Sequence, residues 1–303
     1  MECRQLIRPM PERTLRTRDG RSLDVYVAGP EDATPLVFHA GTPGSGLPFG
    51  ALVDALAERG LRYVSWSRPG YGSSTRHQSR TVADVARDAV DVLDDLGAGD
   101  CYVLGWSGGG PHALAMAALL PSRVRATATI GGVAPFPADG LDWLAGMGVE
   151  NVAEFGASLK GPDALAGFLG EAWPIMRTIG AESVAKELGD LIDDVDRASL
   201  TGDFAESVAA NFREGLRESF WGWLDDDLAF VRPWGFELGS IAGPVHIWQG
   251  GHDRMVPFAH GEWLAAHCGN ACPHLLPQHG HLSLAVSSLP MILDELVSTP
   301  SQA

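Results

Sequence analysis

Gly105-Trp106-Ser107-Gly108-Gly109 places one serine among glycines, with an apolar run at residues 101–104 entering it and another at 108–120 leaving it. A strand that runs into such a pentapeptide and a helix that leaves it make a sharp turn, which holds the serine strained and its hydroxyl exposed. The flanking glycines are required because a Cβ there would strike the neighbouring strand or helix. The helix start adds partial positive charge beside the reacting atom. A serine so placed attacks a carbonyl once a histidine takes its proton and an acid holds the imidazole. The competing reading is a glycine-rich strand-to-helix turn with an incidental serine.

Positioning such a group requires a rigid frame, and the hydrophobic pattern supplies one. Residues 13–18 and 22–28 flank Asp19-Gly20 and read as a hairpin. Short apolar runs at 35–38, 62–66, 101–104 and 124–130 read as strands, alternating with helices at 51–59, 81–96 and 108–120. The second helix is the best marked: Thr81 and Asp84 have capping-box spacing, and Gly97 supplies the stop. This alternation predicts an α/β fold, a mostly parallel sheet flanked by helices. The pattern then changes. Residues 135–237 are amphipathic without strands, with helices expected at 164–179, 182–195 and 204–220. Alternation resumes with a strand at 245–249, a helix at 260–267, a strand at 274–277 and a helix at 282–296. The expected organisation is one α/β core in two parts, 1–134 and 238–303, with an all-helical insertion at 135–237 that is too long for an ordinary loop.

On these residues the chain resembles the α/β-hydrolase fold superfamily, in its form with a serine nucleophile and a helical cap. The resemblance implies the order nucleophile, acid, histidine. Gly250-Gly251-His252-Asp253-Arg254-Met255-Val256-Pro257 follows an apolar strand and resembles the family's acid loop, which makes Asp253 the acid. Gly280-His281-Leu282-Ser283 resembles the late histidine loop, which makes His281 the base of Ser107. The two lie 28 residues apart, room for one helix and one strand. Purely structural readings are a helix-capping acid at Asp253 and a helix N-cap at His281. His279 is the rival base; His281 is preferred because it follows Gly280 and opens the last helix. Asp226, Asp227 and Glu237 lie in the insertion, and Asp139, closer to a strand end, is the better substitute acid. His39-Ala40-Gly41-Thr42-Pro43-Gly44 resembles the His-Gly-x-Pro loop, which implies an oxyanion hole made by the N–H groups of Thr42 and Gly108. Ala40 departs from that pattern, with the histidine one position early. Ser67 departs too, standing where relatives often carry a structural aspartate.

The resemblance places the insertion over the site as a lid, where its many aromatic residues suit an apolar roof; individually, most would pack the lid's own core. Trp106, beside the nucleophile, is the expected substrate contact. The implied activity is hydrolysis of an ester, thioester or lactone of a fairly apolar small molecule through an acyl-enzyme, with no cofactor and no metal. The alternatives are a non-hydrolytic relative (acyltransferase, cyclase or carbon–carbon bond cleavage) and a ligand-binding receptor. Haloalkane and epoxide chemistry is disfavoured because those relatives carry aspartate at the elbow.

Composition narrows the partners. With 22 basic and 38 acidic residues the net charge is −16, which repels nucleic acid and anionic membrane. The first residues never place more than two apolar side chains together, and the longest apolar run, 113–120, is eight residues, so neither a secretory leader nor a membrane span is expected and a cytoplasmic location follows. Four cysteines make no disulfide framework. Cys268 and Cys272, with His267 and His274, fit a loop better than a zinc site. Residues 135–237 hold 20 acidic and 7 basic residues, a net of −13 against −3 for the rest. That charge marks solvated helix faces, or a lid that disfavours anionic substrates.

Overall fold

The computed structural model describes residues 13–298. Cys3 and the N-terminal stretch read above for a leader lie outside them. Strands β1 (Arg13–Arg16) and β2 (Ser22–Ala28) form the expected hairpin, followed by β3 (Thr34–His39), helix α1 (Gly50–Ala57) and β4 (Leu61–Trp66). Next come α2 (Val85–Asp95), β5 (Cys101–Trp106), α3 (Gly109–Leu119) and β6 (Val124–Ile130). The Thr81–Asp84 box forms, with the Thr81 N–H donating to Asp84 Oδ2 at 2.8 Å, and its first turn is a 3₁₀ turn.

The segment that follows is helical: α4 (Val149–Lys160), α5 (Pro162–Met176), α6 (Ala181–Glu187), α7 (Asp194–Ser199), α8 (Gly202–Gly215) and α9 (Trp221–Phe230). The chain closes with β7 (Val245–Gly250), α10 (Phe258–His267), β8 (Ala271–Leu276), α11 (His281–Ser287) and α12 (Leu289–Ser298).

The strands form one eight-stranded sheet in the order β1-β2-β4-β3-β5-β6-β7-β8. β1 and β2 are antiparallel, β2 meets β4 antiparallel, and β3 to β8 run parallel. Both faces of the parallel part are covered, so the central strands are apolar throughout and alternate residues enter two different cores. Val37, Val64 and Val103 pack on one side with α3, and Leu36, Phe38, Tyr63 and Leu104 on the other with α1 and α12.

Expected helix bounds fail where a local breaker outweighs hydrophobic periodicity. The predicted 182–195 helix breaks at Gly189, whose φ of +52° no α-helix accommodates, and restarts at α7 under an Asp193 cap. The predicted 282–296 helix divides at Ser288, because Pro290 lacks the N–H an uninterrupted helix would need. The 204–220 helix ends at Gly215, which lies against the backbone of Gly44 and Ser45. α4 and α9 are elements the periodicity did not reveal.

Candidate active site

β5 and α3 meet at Ser107, whose φ of +56° puts it in the left-handed region. Such a conformation costs a non-glycine residue about 1–3 kcal/mol and persists only when its surroundings hold it. Here the Ser107 N–H donates to Ile130 O and the Ser107 carbonyl accepts the Gly110 N–H, both at 2.8 Å. A Cβ on Gly105 would run into the Gly109 carbonyl and meet Ala113 Cβ at 2.8 Å; one on Gly109 would run into the His39 carbonyl. Strand, turn and helix approach so closely that only glycine fits, as the motif requires.

Asp253 lies in the loop after β7, and His281 is the first residue of α11. His281 Nδ1 and Asp253 Oδ2 are 2.7 Å apart, with both residues buried. A carboxylate only accepts, so Nδ1 carries the proton and Nε2 is left with its lone pair. Asp253 is fully engaged: Oδ1 accepts the Met255 and Val256 N–H at 2.9 and 2.7 Å, and Oδ2 also accepts Gln249 Nε2 at 3.1 Å. Burial opposes charging His281, but the charge and hydrogen bond of Asp253, with a further contribution from Asp196, raise its pKa above the ordinary imidazole value. The pair is held against Gly131, where a Cβ would lie 2.7 Å from His281 Nδ1 and 3.0 Å from Asp253 Oδ2. His279 points elsewhere, toward Ser287 Oγ at 3.2 Å.

Two carboxylates of the helical segment bear on this arrangement, and neither stood out as a structural anchor in the sequence. Asp196 of α7 is buried and accepts the N–H groups of His281, Leu282 and Ser283 at 2.8, 2.9 and 2.8 Å. It thus caps α11 from a distance of 85 residues in sequence for the first of these bonds, and no local signal could have found it. Asp226 of α9 is fully buried, bonded to Arg68 Nη2 and Arg80 Nη1 at 2.6 Å each, and to the hydroxyls of Tyr71 and Thr42 at 2.9 Å each. Burial alone would raise its pKa; the two guanidinium groups outweigh burial and hold it well below the usual carboxylate range. His112 Nε2 completes the cluster at 3.2 Å; burial lowers that imidazole to about 4, so it donates as a neutral ring.

This cluster shapes the loop after β3. Arg68 donates to the carbonyls of Ala40 and Gly41 at 2.7 and 3.2 Å and to Thr42 Oγ1 at 3.2 Å. The loop is therefore tied by Arg68. His39 is buried, with its Nε2 3.1 Å from Met116 Sδ, and Ala40 is buried as well. Thr42 packs directly against Gly108, where no Cβ would fit. Among the described residues, neither the Thr42 nor the Gly108 N–H donates to the protein. Ser67 takes a structural part, its Oγ accepting the Gly46 N–H at 3.2 Å.

Ser107, Gly108, Thr42, Trp106 and His281 border one cavity of about 230 Å³. The helical segment supplies much of the rest, including Phe155, Phe168, Phe212, Trp223 and Phe230. Other aromatics of that segment pack elsewhere; Trp143, for one, sits edge-on to Phe155 at 4.7 Å. The Trp106 ring stacks on His281 at 5.8 Å and meets Phe49 edge-on at 5.6 Å. A separate group, His246, His274 and Glu295, places its donor atoms within 4.8 Å of one another but does not border the cavity. Among the described residues Cys268, Cys272, His267 and His274 do not gather their donor atoms as such a group; His267 stacks on Trp263 and His274 on Trp248, each at 3.8 Å.

The sequence profile described as alpha/beta hydrolase fold matches residues 34–287. The chain belongs to the alpha/beta hydrolase fold family. Among curated relatives of this α/β hydrolase is the uncharacterized hydrolase YcgS of Bacillus subtilis, 27% identical over 278 residues, covering 88% of this chain and 90% of that one. Another is a 2-hydroxy-6-oxononadienedioate/2-hydroxy-6-oxononatrienedioate hydrolase of Burkholderia vietnamiensis, 27% identical over 277 residues and covering 87% and 86%. A solved hydrolase from Pseudomonas aeruginosa PA01 superposes with a TM-score of 0.68 at 23% identity, covering 94% of this chain and 97% of that one. No helix among the described residues of the α/β hydrolase is long and apolar enough to cross a membrane.

Proposed function

We propose that this α/β hydrolase is a serine hydrolase, cleaving an ester, thioester or lactone of a small, fairly apolar molecule under a helical cap formed by residues 135–237. The observation that carries the reading is the His281–Asp253 pair, 2.7 Å apart, on the same cavity as a serine held at a positive φ. In this reading Ser107 Oγ attacks the carbonyl carbon and its proton passes to His281 Nε2. Asp253 holds the tautomer and stabilises the imidazolium. The oxyanion takes the N–H groups of Thr42 and Gly108, each worth about 3–4 kcal/mol in the transition state. Collapse expels the alcohol or thiol, which takes the proton from His281. Water, deprotonated by the same histidine, then attacks the acyl-serine and releases the acid. Trp106 contacts the substrate and packs the base.

A fluorophosphonate probe should label the native protein at Ser107 and leave Ser107→Ala unlabelled. Absence of labelling in the native protein, or equal labelling of the variant, would overturn the nucleophile. The base must be neutral to act, so kcat/KM should fall as pH drops through the His281 pKa. Because the charge of Asp253 outweighs burial, the acid limb should have its midpoint above 6.5, the ordinary imidazole value. A midpoint below that value would mean that burial governs the site and that the pair does not act as described.

A further inference from the structure

One wall of the cavity has a chemistry that ester hydrolysis does not use. Asp227 follows the anchoring Asp226 on α9. Successive residues of a helix point about 100° apart, so while Asp226 turns to Arg68 and Thr42, Asp227 turns to the cavity. It is 1% exposed, and among the described residues neither of its carboxyl oxygens receives an N–H or O–H. Its neighbour, within hydrogen-bonding reach, is another carboxyl, that of Glu154 on α4, whose Oε1 also accepts Trp223 Nε1 at 2.6 Å. Glu150 also borders the cavity, with its buried Oε2 likewise unpartnered.

No lysine or arginine borders the cavity among the described residues. The guanidinium whose field reaches Asp227, that of Arg80, is committed to Asp226 and to the carbonyls of Pro69 and Gly222. Glu187, which completes the acidic lining, is paired with Lys186 on the outer surface. Buried carboxylates without donors are costly, and proteins resolve them by protonation or by a bound cation. Burial and Glu154 push the Asp227 carboxyl well above its usual range, which favours a proton held between the two carboxyls.

We propose that Asp227 and Glu154 form a subsite for a protonated amine, and that the substrates of this enzyme are esters carrying a primary or secondary ammonium group. An ammonium brings up to three N–H donors and one positive charge to a carboxyl pair that has no cationic partner and whose Asp227 oxygens receive no N–H from the protein. On binding it displaces the shared proton, which leaves to solvent; the ammonium keeps its own protons and no covalent bond changes. The same wall rejects carboxylates, so a dianionic substrate such as the one named for the Burkholderia vietnamiensis relative does not fit. The substrate class rests on the hydrolase reading; the amine site rests on the cavity alone.

The experiment keeps the two apart. Titration calorimetry of the full chain with n-butylammonium and with 1-butanol reads the subsite without catalysis. The ammonium should bind about ten- to a hundredfold more tightly, the worth of a charge-assisted hydrogen bond. Its heat should change with the ionisation enthalpy of the buffer as the proton is released. Asp227→Asn should lose that preference and the proton release; Glu154→Gln provides a second variant should the first not fold. Equal binding of amine and alcohol by the wild type, or an undiminished preference in variants that fold, overturns the subsite. In parallel, 4-nitrophenyl 5-aminopentanoate should exceed 4-nitrophenyl pentanoate in kcat/KM by a similar factor. A preference for the uncharged ester overturns the substrate class. Failure of the fluorophosphonate to label overturns the hydrolase reading, while the calorimetry still decides the subsite.

Discussion

Asp253→Asn is expected to lower kcat by about 10⁴-fold with the fold intact. The argument lies in the donors around the carboxyl. The N–H groups of Met255 and Val256 are fixed by the backbone and can only donate, so they compel the amide oxygen of asparagine to take the Oδ1 position. The amide NH₂ is left facing His281 Nδ1, where Oδ2 now accepts at 2.7 Å. Two donors cannot share that contact. The imidazole moves its proton to Nε2 and presents N–H, not a lone pair, to Ser107. Single-turnover ester hydrolysis measures the loss, with thermal unfolding as the control. A decrease below about tenfold in a folded variant would mean that Asp253 does not set the His281 tautomer.

The second large effect concerns stability. Asp226→Ala should destabilise the protein by about 3–5 kcal/mol, the usual consequence of stripping one partner from a buried ion pair. Arg68 and Arg80, both buried, would lose their bonds of 2.6 Å, and the hydroxyls of Tyr71 and Thr42 would lose their acceptor. These groups come from the core, whereas Asp226 comes from the helical segment, so the cluster fastens one to the other. Asp226→Asn keeps the shape but not the charge and should fall between. Urea unfolding reads both variants. A loss near 1 kcal/mol, the scale of a surface pair, would mean that water reaches the two arginines once the carboxylate is gone.

Much of the framework was legible from residue order because it is local. Alternation between two cores writes itself into β3 to β6 as continuous apolar runs, and the close approach of strand and helix leaves glycines at 105 and 109. The triad candidates were legible for the same reason: each lies at the end of a strand or the start of a helix, beside a glycine or a tight loop. The helical segment was read less well. Its amphipathic periodicity marks helices but not their ends, so Gly189 breaks an element expected to be continuous, as Pro290 does outside it in the last core helix. Ala40 departs from the His-Gly-x-Pro pattern, and the loop is held instead by Arg68, from a distant segment, through the carbonyls of Ala40 and Gly41.

By itself the sequence determined the α/β class, the sheet with its helical insertion, the position of Ser107 on its turn and the concentration of acid in residues 135–237. Only the tertiary structure decided what that acid does. Asp196 caps the helix of His281, Asp226 pairs with two arginines, and Asp227 faces the cavity with no N–H donor from the protein. Asp226 and Asp227 are adjacent and chemically identical, and a turn of about 100° sends one into an ion cluster and the other to an empty wall. A carboxylate's role depends on which charges and donors surround it in space, and those groups come from segments far apart in the chain.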